Sequence, residues 1–122
     1  MNRTQGLSHI HLVVRDIARS LRFYQRALGL EERFRHGDHM VFLSSPGSHD
    51  LITLNESPAE AELAGTSGGV GHFGFRLAPE TDLDQLLADV EAEGGKLLRR
   101  GEHAAGAPFA FIADPDGYVI EL

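Results

Sequence analysis

Apolar and polar residues alternate over several short stretches of the chain, and two longer stretches carry apolar residues at helical spacing. Residues 7–14 alternate as a half-buried strand does. One face of a helix is predicted next, because apolar residues recur every three or four positions at Ile17, Leu21, Tyr24 and Leu28. Three strand-like runs follow, at 30–36, 39–44 and 49–55.

The same order of elements restarts after a polar stretch at 56–69, whose composition predicts a linker. Residues 70–77 predict a strand, and residues 81–93 predict a helix. Three more strands are predicted at 96–100, 107–113 and 117–122. The chain therefore repeats one plan, a strand, a helix and three strands, twice.

Residues at the helix ends support this plan. Asp16 is an N-cap candidate for the first helix, and Gly29 stands where a glycine commonly ends a helix. Thr81 and Asp84 have capping-box spacing at the second helix, and Gly94 ends it. Asp114 opens an Asp-Pro-Asp-Gly run, which predicts a turn before the last strand and no catalytic acid pair.

The two halves align directly. Residues 8–10 correspond to 71–73, and residues 50–54 correspond to 118–122. This alignment predicts an α+β fold of two βαβββ modules in one domain over residues 1–122. The expected bounds are about 7–55 for the first module, 56–69 for the linker and 70–122 for the second module.

The alternation of side chains along the strands separates an apolar face from a polar face in each module. The apolar side chains can bury against the two helices. The opposite faces collect polar and titratable groups, namely His9, His11, His49, Thr53, His72, Arg76 and Glu121. The repeat pairs His9 with His72, and Thr53 with Glu121, so a pseudo-two-fold axis would bring these four residues together.

Two imidazoles and one carboxylate form the ligand set of the facial triad, which suits Fe(II), Mn(II), Zn(II), Ni(II) or Co(II). Thr53 takes the fourth symmetric place, and a neutral hydroxyl is a poor ligand, so one coordination position is expected to stay open. A lone histidine is more often a structural residue. The shared register of His9, His72 and Glu121 on repeated strands favours a metal site.

The amino-acid composition limits the classes of binding partner that can be expected. The net charge of −7 argues against nucleic acid and anionic membrane, which attract clustered Lys and Arg. The lack of cysteine excludes disulfides and thiolate chemistry. Residues 1–8 lack the apolar region of a signal peptide, and no apolar run approaches the length of a membrane span. A cytoplasmic location is expected.

Several segments carry a family resemblance. They lie at residues 7–16, 20–24, 28–30, 71–75 and 114–122. These segments resemble the vicinal oxygen chelate superfamily of glyoxalases, fosfomycin-resistance proteins and extradiol dioxygenases. The resemblance implies βαβββ modules whose sheets curl into a cup, with helices outside and one divalent ion held by His9, His72 and Glu121. It also implies a small-molecule substrate and a homodimer, with the cup built within one chain or between two.

Among the subclasses, the resemblance favours extradiol ring-cleaving dioxygenases, which use the bare triad with Fe²⁺ or Mn²⁺. Residues 48–51 resemble a segment that carries an acid–base histidine, here His49. Residues 101–106 resemble a Gly-x-His-x-x-Gly loop that contains His103. One departure is Phe111, which stands where those enzymes place a tyrosine.

Three alternatives remain open. Glyoxalase I-like lyases usually carry a ligating Glu at the position of Thr53. Fosfomycin-modifying enzymes carry cationic phosphonate-binding residues, some beyond the final Glu, whereas only Leu122 follows Glu121 here. Non-catalytic drug-binding members typically lack the three ligands. The predicted substrate pocket contains His11, Thr53, Arg76, His103 and Phe111.

Overall fold

The structure is a computed structural model that describes residues 3–122; residues 1 and 2, which the domain prediction includes, lie outside it. The first module holds β1 (His9–Val14), α1 (Ile17–Arg26), β2 (Glu31–His36), β3 (Met40–Ser44) and β4 (Leu51–Glu56). A short 3₁₀ helix (Ala61–Leu63) follows. The second module holds β5 (Phe73–Gly74), α2 (Leu83–Ala92), β6 (Lys96–Ala104), β7 (Ala107–Ala113) and β8 (Val119–Glu121). No helix within residues 3–122 is long and apolar enough to cross a bilayer.

Each module forms a four-stranded mixed sheet, with strand orders β1-β4-β3-β2 and β5-β8-β7-β6. The first strand of each module pairs in parallel with the last, and the other pairs are antiparallel. The repeated topology confirms the predicted α+β fold of two βαβββ modules.

Strand register confirms the alignment of the two halves. His11 lies opposite Thr53 across β1 and β4. Gly74 lies opposite Glu121 across β5 and β8. Because directly opposed residues point to the same face of a sheet, Thr53 and Glu121 occupy equivalent places in the two modules.

The apolar faces of both sheets and both helices share one core. In β1, Leu12 and Val14 are buried, whereas His9 and His11 are exposed, as strand alternation predicts. Phe23 and Tyr24 of α1 and Val90 of α2 are also buried; the core includes residues of β3, β4, β7 and β8 too. The opposite sheet faces are left for the polar side chains.

The Asp-Pro-Asp-Gly turn joins the modules, a role that the sequence did not predict. Asp114 and Asp116 are buried. The Asp116 carboxylate accepts hydrogen bonds from the backbone N–H of Arg15 and the hydroxyl of Ser20. Its Oδ1 also lies 3.2 Å from the guanidinium groups of Arg15 and Arg19.

The other carboxylate of this turn, Asp114, accepts a 2.8 Å hydrogen bond from the buried Tyr24 hydroxyl. Its Oδ1 accepts from the backbone N–H groups of Asp116, Gly117 and Tyr118. Burial raises the pKa of Asp114 despite these bonds. Burial and the neighbouring Asp114 carboxylate raise the pKa of Tyr24 well above its ordinary value.

The predicted linker contains ordered structure besides the 3₁₀ helix. Ala64 is buried, and its carbonyl accepts a 3.0 Å hydrogen bond from Arg15. Gly65 has a φ of +77°, and a Cβ atom there would stand 2.1 Å from the carbonyl oxygen of Asp116. The linker therefore approaches the turn so closely that only glycine fits.

Two local predictions need correction. The second helix is capped by Asp82, whose carboxylate accepts from the N–H of Gln85, and not by the predicted Thr81 and Asp84 box. The strand predicted at 70–77 shortens to the two residues of β5. Its partner β8 has only three residues, and β5 pairs with no second strand within residues 3–122. Asp16 caps α1 as predicted.

Candidate metal and substrate site

Three predicted site residues of the second module form one connected group. Nε2 of His72 lies 3.2 Å from Oε1 of Glu121. Nε2 of His103 lies 3.2 Å from Oε2 of the same carboxylate. Glu121 thus joins the start of β5, through His72, to the end of β6, through His103. The three side chains are 32% to 62% exposed, so the group is open to a small molecule.

Phenylalanine rings line this group. Phe111 lies opposite Glu121 across β7 and β8, and its ring meets the His72 ring edge to face at 5.0 Å. Phe109 stacks on the His103 ring, with centroids 4.3 Å apart. The two phenylalanines contact each other at 5.8 Å. They provide an apolar floor beside the only carboxylate of the group.

Gly74 leaves room beside Glu121. It is the direct cross-strand neighbour of Glu121. A Cβ atom at this position would stand 2.9 Å from the Glu121 carbonyl oxygen and 3.5 Å from its Cβ atom. A larger residue would therefore crowd the strand that carries the carboxylate.

The residue predicted as the metal ligand of the first module, His9, stands apart from this group. It is exposed at the start of β1, and its Nδ1 lies 2.7 Å from the Ser8 hydroxyl. It lines a cavity of about 300 Å³ together with Arg76 and Asp50. Within residues 3–122, no three His, Asp or Glu side chains, including His72, Glu121 and His103, are arranged so that they could hold one metal ion. One chain therefore supplies two adjacent ligands of the predicted set and presents the third elsewhere.

Two other predicted pocket residues lie together on the first module. His11 is exposed and faces a cavity of about 310 Å³ that His72 also lines. Thr53 is 1% exposed, and its hydroxyl has no hydrogen-bond partner in the described chain. Thr53 lies between His11 on β1 and Phe42 on β3, so its neighbours cover it.

The predicted acid–base residue, His49, is exposed in the loop that precedes β4. Because it lies outside the strand, strand alternation does not fix the direction of its side chain. Its sequence neighbours Ser48 and Asp50 line the cavity that contains His9. Sequence reasoning missed Phe109 and Arg99, which contact each other beside His103; their alternation on β6 and β7 was the available sign.

Comparison with known proteins places the chain in a family. A model of the Glyoxalase/Bleomycin resistance protein/Dioxygenase superfamily matches residues 6–122. The chain belongs to this superfamily. The family prediction made from the sequence motifs is thereby confirmed.

Relatives within the superfamily have different activities. The chain is 30% identical over 117 residues to catechol-2,3-dioxygenase of Bacillus subtilis, covering 95% of this chain but 40% of that protein. It is 31% identical over 126 residues to lactoylglutathione lyase of Haemophilus influenzae, covering 93% and 88%. The chain thus spans about two fifths of the dioxygenase and most of the lyase.

A solved structure supports the fold. A variant of the fosfomycin resistance protein FosX from Listeria monocytogenes, in complex with Mn(II) and a dihydroxypropylphosphonic acid, superposes with a TM-score of 0.76. The match covers 98% of this chain and 90% of that one at 22% identity. At this identity the likeness concerns the fold.

Proposed function

We propose that this protein is a divalent-metal-dependent enzyme that binds two neighbouring oxygens of a small molecule, with extradiol ring cleavage as the favoured reaction. The observation that carries the proposal is the pairing of His72 with Glu121 at 3.2 Å, beside the ring of Phe111. An imidazole and a carboxylate at this separation match two of the three ligands of the facial triad.

The third ligand in this proposal is His9, supplied by a second copy of the chain. Within one chain His9 lies in a separate cavity, yet it is exposed on the uncovered face of the first sheet. A homodimer with two-fold symmetry would present two such faces, each with a His9, to two His72–Glu121 pairs. Fe(II) and Mn(II) are the favoured ions, and the solved FosX structure contains Mn(II).

A divalent ion at this site would polarise two adjacent substrate oxygens and stabilise the negative charge that forms on them. Phe109 and Phe111 would hold an apolar substrate body and exclude water. His103 would fix the second oxygen of Glu121, because its Nε2 lies 3.2 Å from that atom. A carboxylate held in this way keeps a defined orientation toward the ion.

The residue at position 53 favours ring cleavage over the lyase reaction. A glyoxalase I-like lyase would be expected to have a fourth protein ligand at this place, but the Thr53 side chain is neutral and buried. A three-ligand set leaves more positions for substrate oxygens and for a second molecule such as O₂. His49 is the proposed acid–base residue, since an imidazole can accept and donate a proton near neutral pH and its sequence neighbours line the His9 cavity.

A mixing experiment tests the shared site. His9→Ala and His72→Ala chains are each expected to lose Fe(II) and Mn(II) binding. When the two variants are unfolded, mixed and refolded, the heterodimer would contain one complete site, and metal binding should reappear at up to one ion per heterodimer. Wild-type protein that is unfolded and refolded in parallel is the control. If it binds metal normally and the mixed variants bind none, the shared site is contradicted.

Turnover tests the reaction. Protein loaded anaerobically with Fe(II) or Mn(II) and then exposed to O₂ is expected to cleave catechols, with lactoylglutathione formation assayed in parallel. His49→Ala should retain the metal and lose about a hundredfold or more in turnover, whereas His39→Ala, at an exposed hairpin position, should be unaffected. Lyase activity without ring cleavage would favour the alternative reaction, and absence of metal binding would favour a non-catalytic ligand-binding protein.

A further inference from the structure

A row of four directly opposed residues crosses the whole second sheet on its uncovered face. Arg99 on β6 lies opposite Phe111 on β7, which lies opposite Glu121 on β8, which lies opposite Gly74 on β5. Neighbouring strands are about 4.8 Å apart, so Arg99 and Glu121 start from backbones about 10 Å apart with one phenylalanine between them.

The Arg99 guanidinium lies over two aromatic rings. Its central carbon is 5.2 Å from the Phe111 ring centroid and 5.4 Å from the Phe109 ring centroid. A cation–π contact attracts the guanidinium charge to a ring without using its N–H groups as ion-pair donors, so donors remain available to a ligand. The side chain is therefore held in place while its hydrogen-bonding edge stays available.

Arg99 has no ion pair with a carboxylate within residues 3–122, unlike its neighbour in sequence. Arg100 points to the other face of β6 and donates a 2.7 Å hydrogen bond to Asp84. The protein carries a net charge of −7, so acidic side chains are plentiful. The free arginine stands at one end of the row whose other end carries the His72–Glu121 pair.

We propose that Arg99, Phe109 and Phe111 form a specificity subsite for a planar ring that bears an oxyanion, such as an aromatic carboxylate. The ring would lie against Phe111, and the oxyanion would accept hydrogen bonds from the edge of the Arg99 guanidinium. The end of the ring remote from the oxyanion would then face His72 and Glu121. This inference deepens the proposed function, since the same substrate would present its two neighbouring oxygens there.

The length of the row limits the substrate. One six-membered ring with the oxyanion attached directly or through a short link fits the space of two strand spacings, about 10 Å. A neutral ring of the same size would keep the aromatic contacts but lose the charge-assisted hydrogen bonds, which are about twice as strong as neutral ones. Among single rings of this size, the charge on the substrate should therefore decide preference.

Binding to the metal-free protein tests this subsite separately from the metal chemistry. The probes are benzoate, phenylphosphonate, the neutral benzyl alcohol and the non-aromatic cyclohexanecarboxylate, titrated by calorimetry or protein NMR. We expect benzoate to bind about tenfold or more tighter than benzyl alcohol, and cyclohexanecarboxylate to bind more weakly than benzoate. Comparison of benzoate with phenylphosphonate identifies which oxyanion is preferred.

Two matched variants complete the test. Arg99→Gln should remove the preference for benzoate and leave benzyl alcohol binding unchanged, whereas Arg100→Gln should leave all four affinities unchanged. Arg99→Lys should recover the preference only in part, because an ammonium group lacks the planar fork. Equal loss for Arg99→Gln and Arg100→Gln, or no preference in the wild type, would overturn the subsite.

Turnover separates this inference from the function on which it builds. If the metal-loaded enzyme cleaves catechol and 3,4-dihydroxybenzoate equally and Arg99→Gln changes neither, the subsite is wrong and the proposed reaction stands. If Arg99-dependent benzoate binding is found in a protein that binds no metal, the subsite stands and the metal-dependent function is wrong.

Discussion

The two modules place different residues at the same point of the same sheet. Thr53 on β4 and Glu121 on β8 each lie directly opposite the first strand of their module. Thr53 is covered by its neighbours, and its hydroxyl has no partner in the described chain. Glu121 is about one third exposed and contacts two imidazoles. Equivalent backbone positions therefore carry a buried hydroxyl in the first module and an accessible carboxylate in the second.

The cross-strand neighbours explain this difference. Thr53 lies opposite His11, whereas Glu121 lies opposite Gly74, which has no side chain. The repeat therefore fixes the position of each residue on its sheet, and we infer that the cross-strand neighbour decides whether its side chain is accessible. Exchange of residues between the two positions should reveal this asymmetry.

The largest effect is expected for Thr53→Glu. A carboxylate at a 1% exposed position would be buried without an established partner, so the free energy of unfolding should fall by about 3 kcal/mol or more. The reciprocal change, Glu121→Thr, should lower the free energy of unfolding of metal-free protein by less than about 1 kcal/mol, because exposed ion pairs contribute little. Urea denaturation measures both.

Thr53→Gln is the control for steric crowding. The buried carboxylate of Thr53→Glu would have a raised pKa, so its penalty should shrink at acidic pH, whereas the penalty of Thr53→Gln should not change with pH. A loss for Thr53→Glu of under about 1 kcal/mol would contradict the idea that the first module is closed at this point.

The next prediction compares the two loops that precede the last strand of each module, β8 and β4. Asp116, in the turn before β8, holds Arg15, Arg19 and Ser20 of the first module. Asp116→Ala should cost about 3 kcal/mol in unfolding free energy, since it leaves the Ser20 hydroxyl buried without an acceptor. Ser48→Ala, at the aligned position before β4, removes one exposed hydrogen bond and should cost about 0.5 kcal/mol or less. Similar losses for the two variants would contradict the proposed difference between the loops.

A smaller, pH-dependent effect is expected for Asp114→Asn. Burial raises the pKa of Asp114 above its ordinary 3.8. At pH values between 3.8 and the raised pKa, the folded state therefore binds more protons than the unfolded state. The contribution of Asp114 to stability therefore falls as pH rises through this window. The amide keeps an oxygen for the three backbone N–H groups, and its NH₂ can donate to Tyr24.

Denaturation from pH 4 to pH 7 checks this expectation. The stability of Asp114→Asn relative to wild type should increase as the pH rises, because the variant has no carboxylate to ionise. Subtraction of the wild-type curve removes the contribution of the other carboxylates. A relative stability that falls with rising pH would mean that the pKa of Asp114 is lowered in the folded state.

The smallest effect is expected for Thr53→Val. This substitution keeps the shape of the side chain and removes a buried hydroxyl without a partner, so stability should be unchanged or rise by about 1 kcal/mol. Ser44→Ala, which removes the other unpartnered buried hydroxyl of this sheet, provides a comparison without β-branching. A clear loss for Thr53→Val would show that the hydroxyl has a partner, such as a water or a substrate.

Much of the fold could be predicted from local patterns. Strand alternation separated Leu12 and Val14 from His9 and His11, because successive side chains in a strand point to opposite faces. The repeat aligned Thr53 with Glu121, and the register bears out that alignment. Both features follow from the order of residues along the strands, which can be read directly from the sequence.

Other features depended on contacts between distant parts of the chain. The turn sequence predicted the geometry of Asp114 and Asp116, but not their burial against α1, which lies about ninety residues away in sequence. Gly65 likewise gave no local sign that its backbone would meet Asp116. Such contacts arise from how the modules pack, and no periodicity encodes them.

The sequence by itself determined the two-module plan, the family and the residues that face away from the core. Only the tertiary structure decided which of those residues meet: His72 and His103 share the carboxylate of Glu121, while His9 lies in a separate cavity. The physical reason is that alternation sets the direction of a side chain within its own sheet, whereas the distance between side chains of two sheets depends on how the shared core packs.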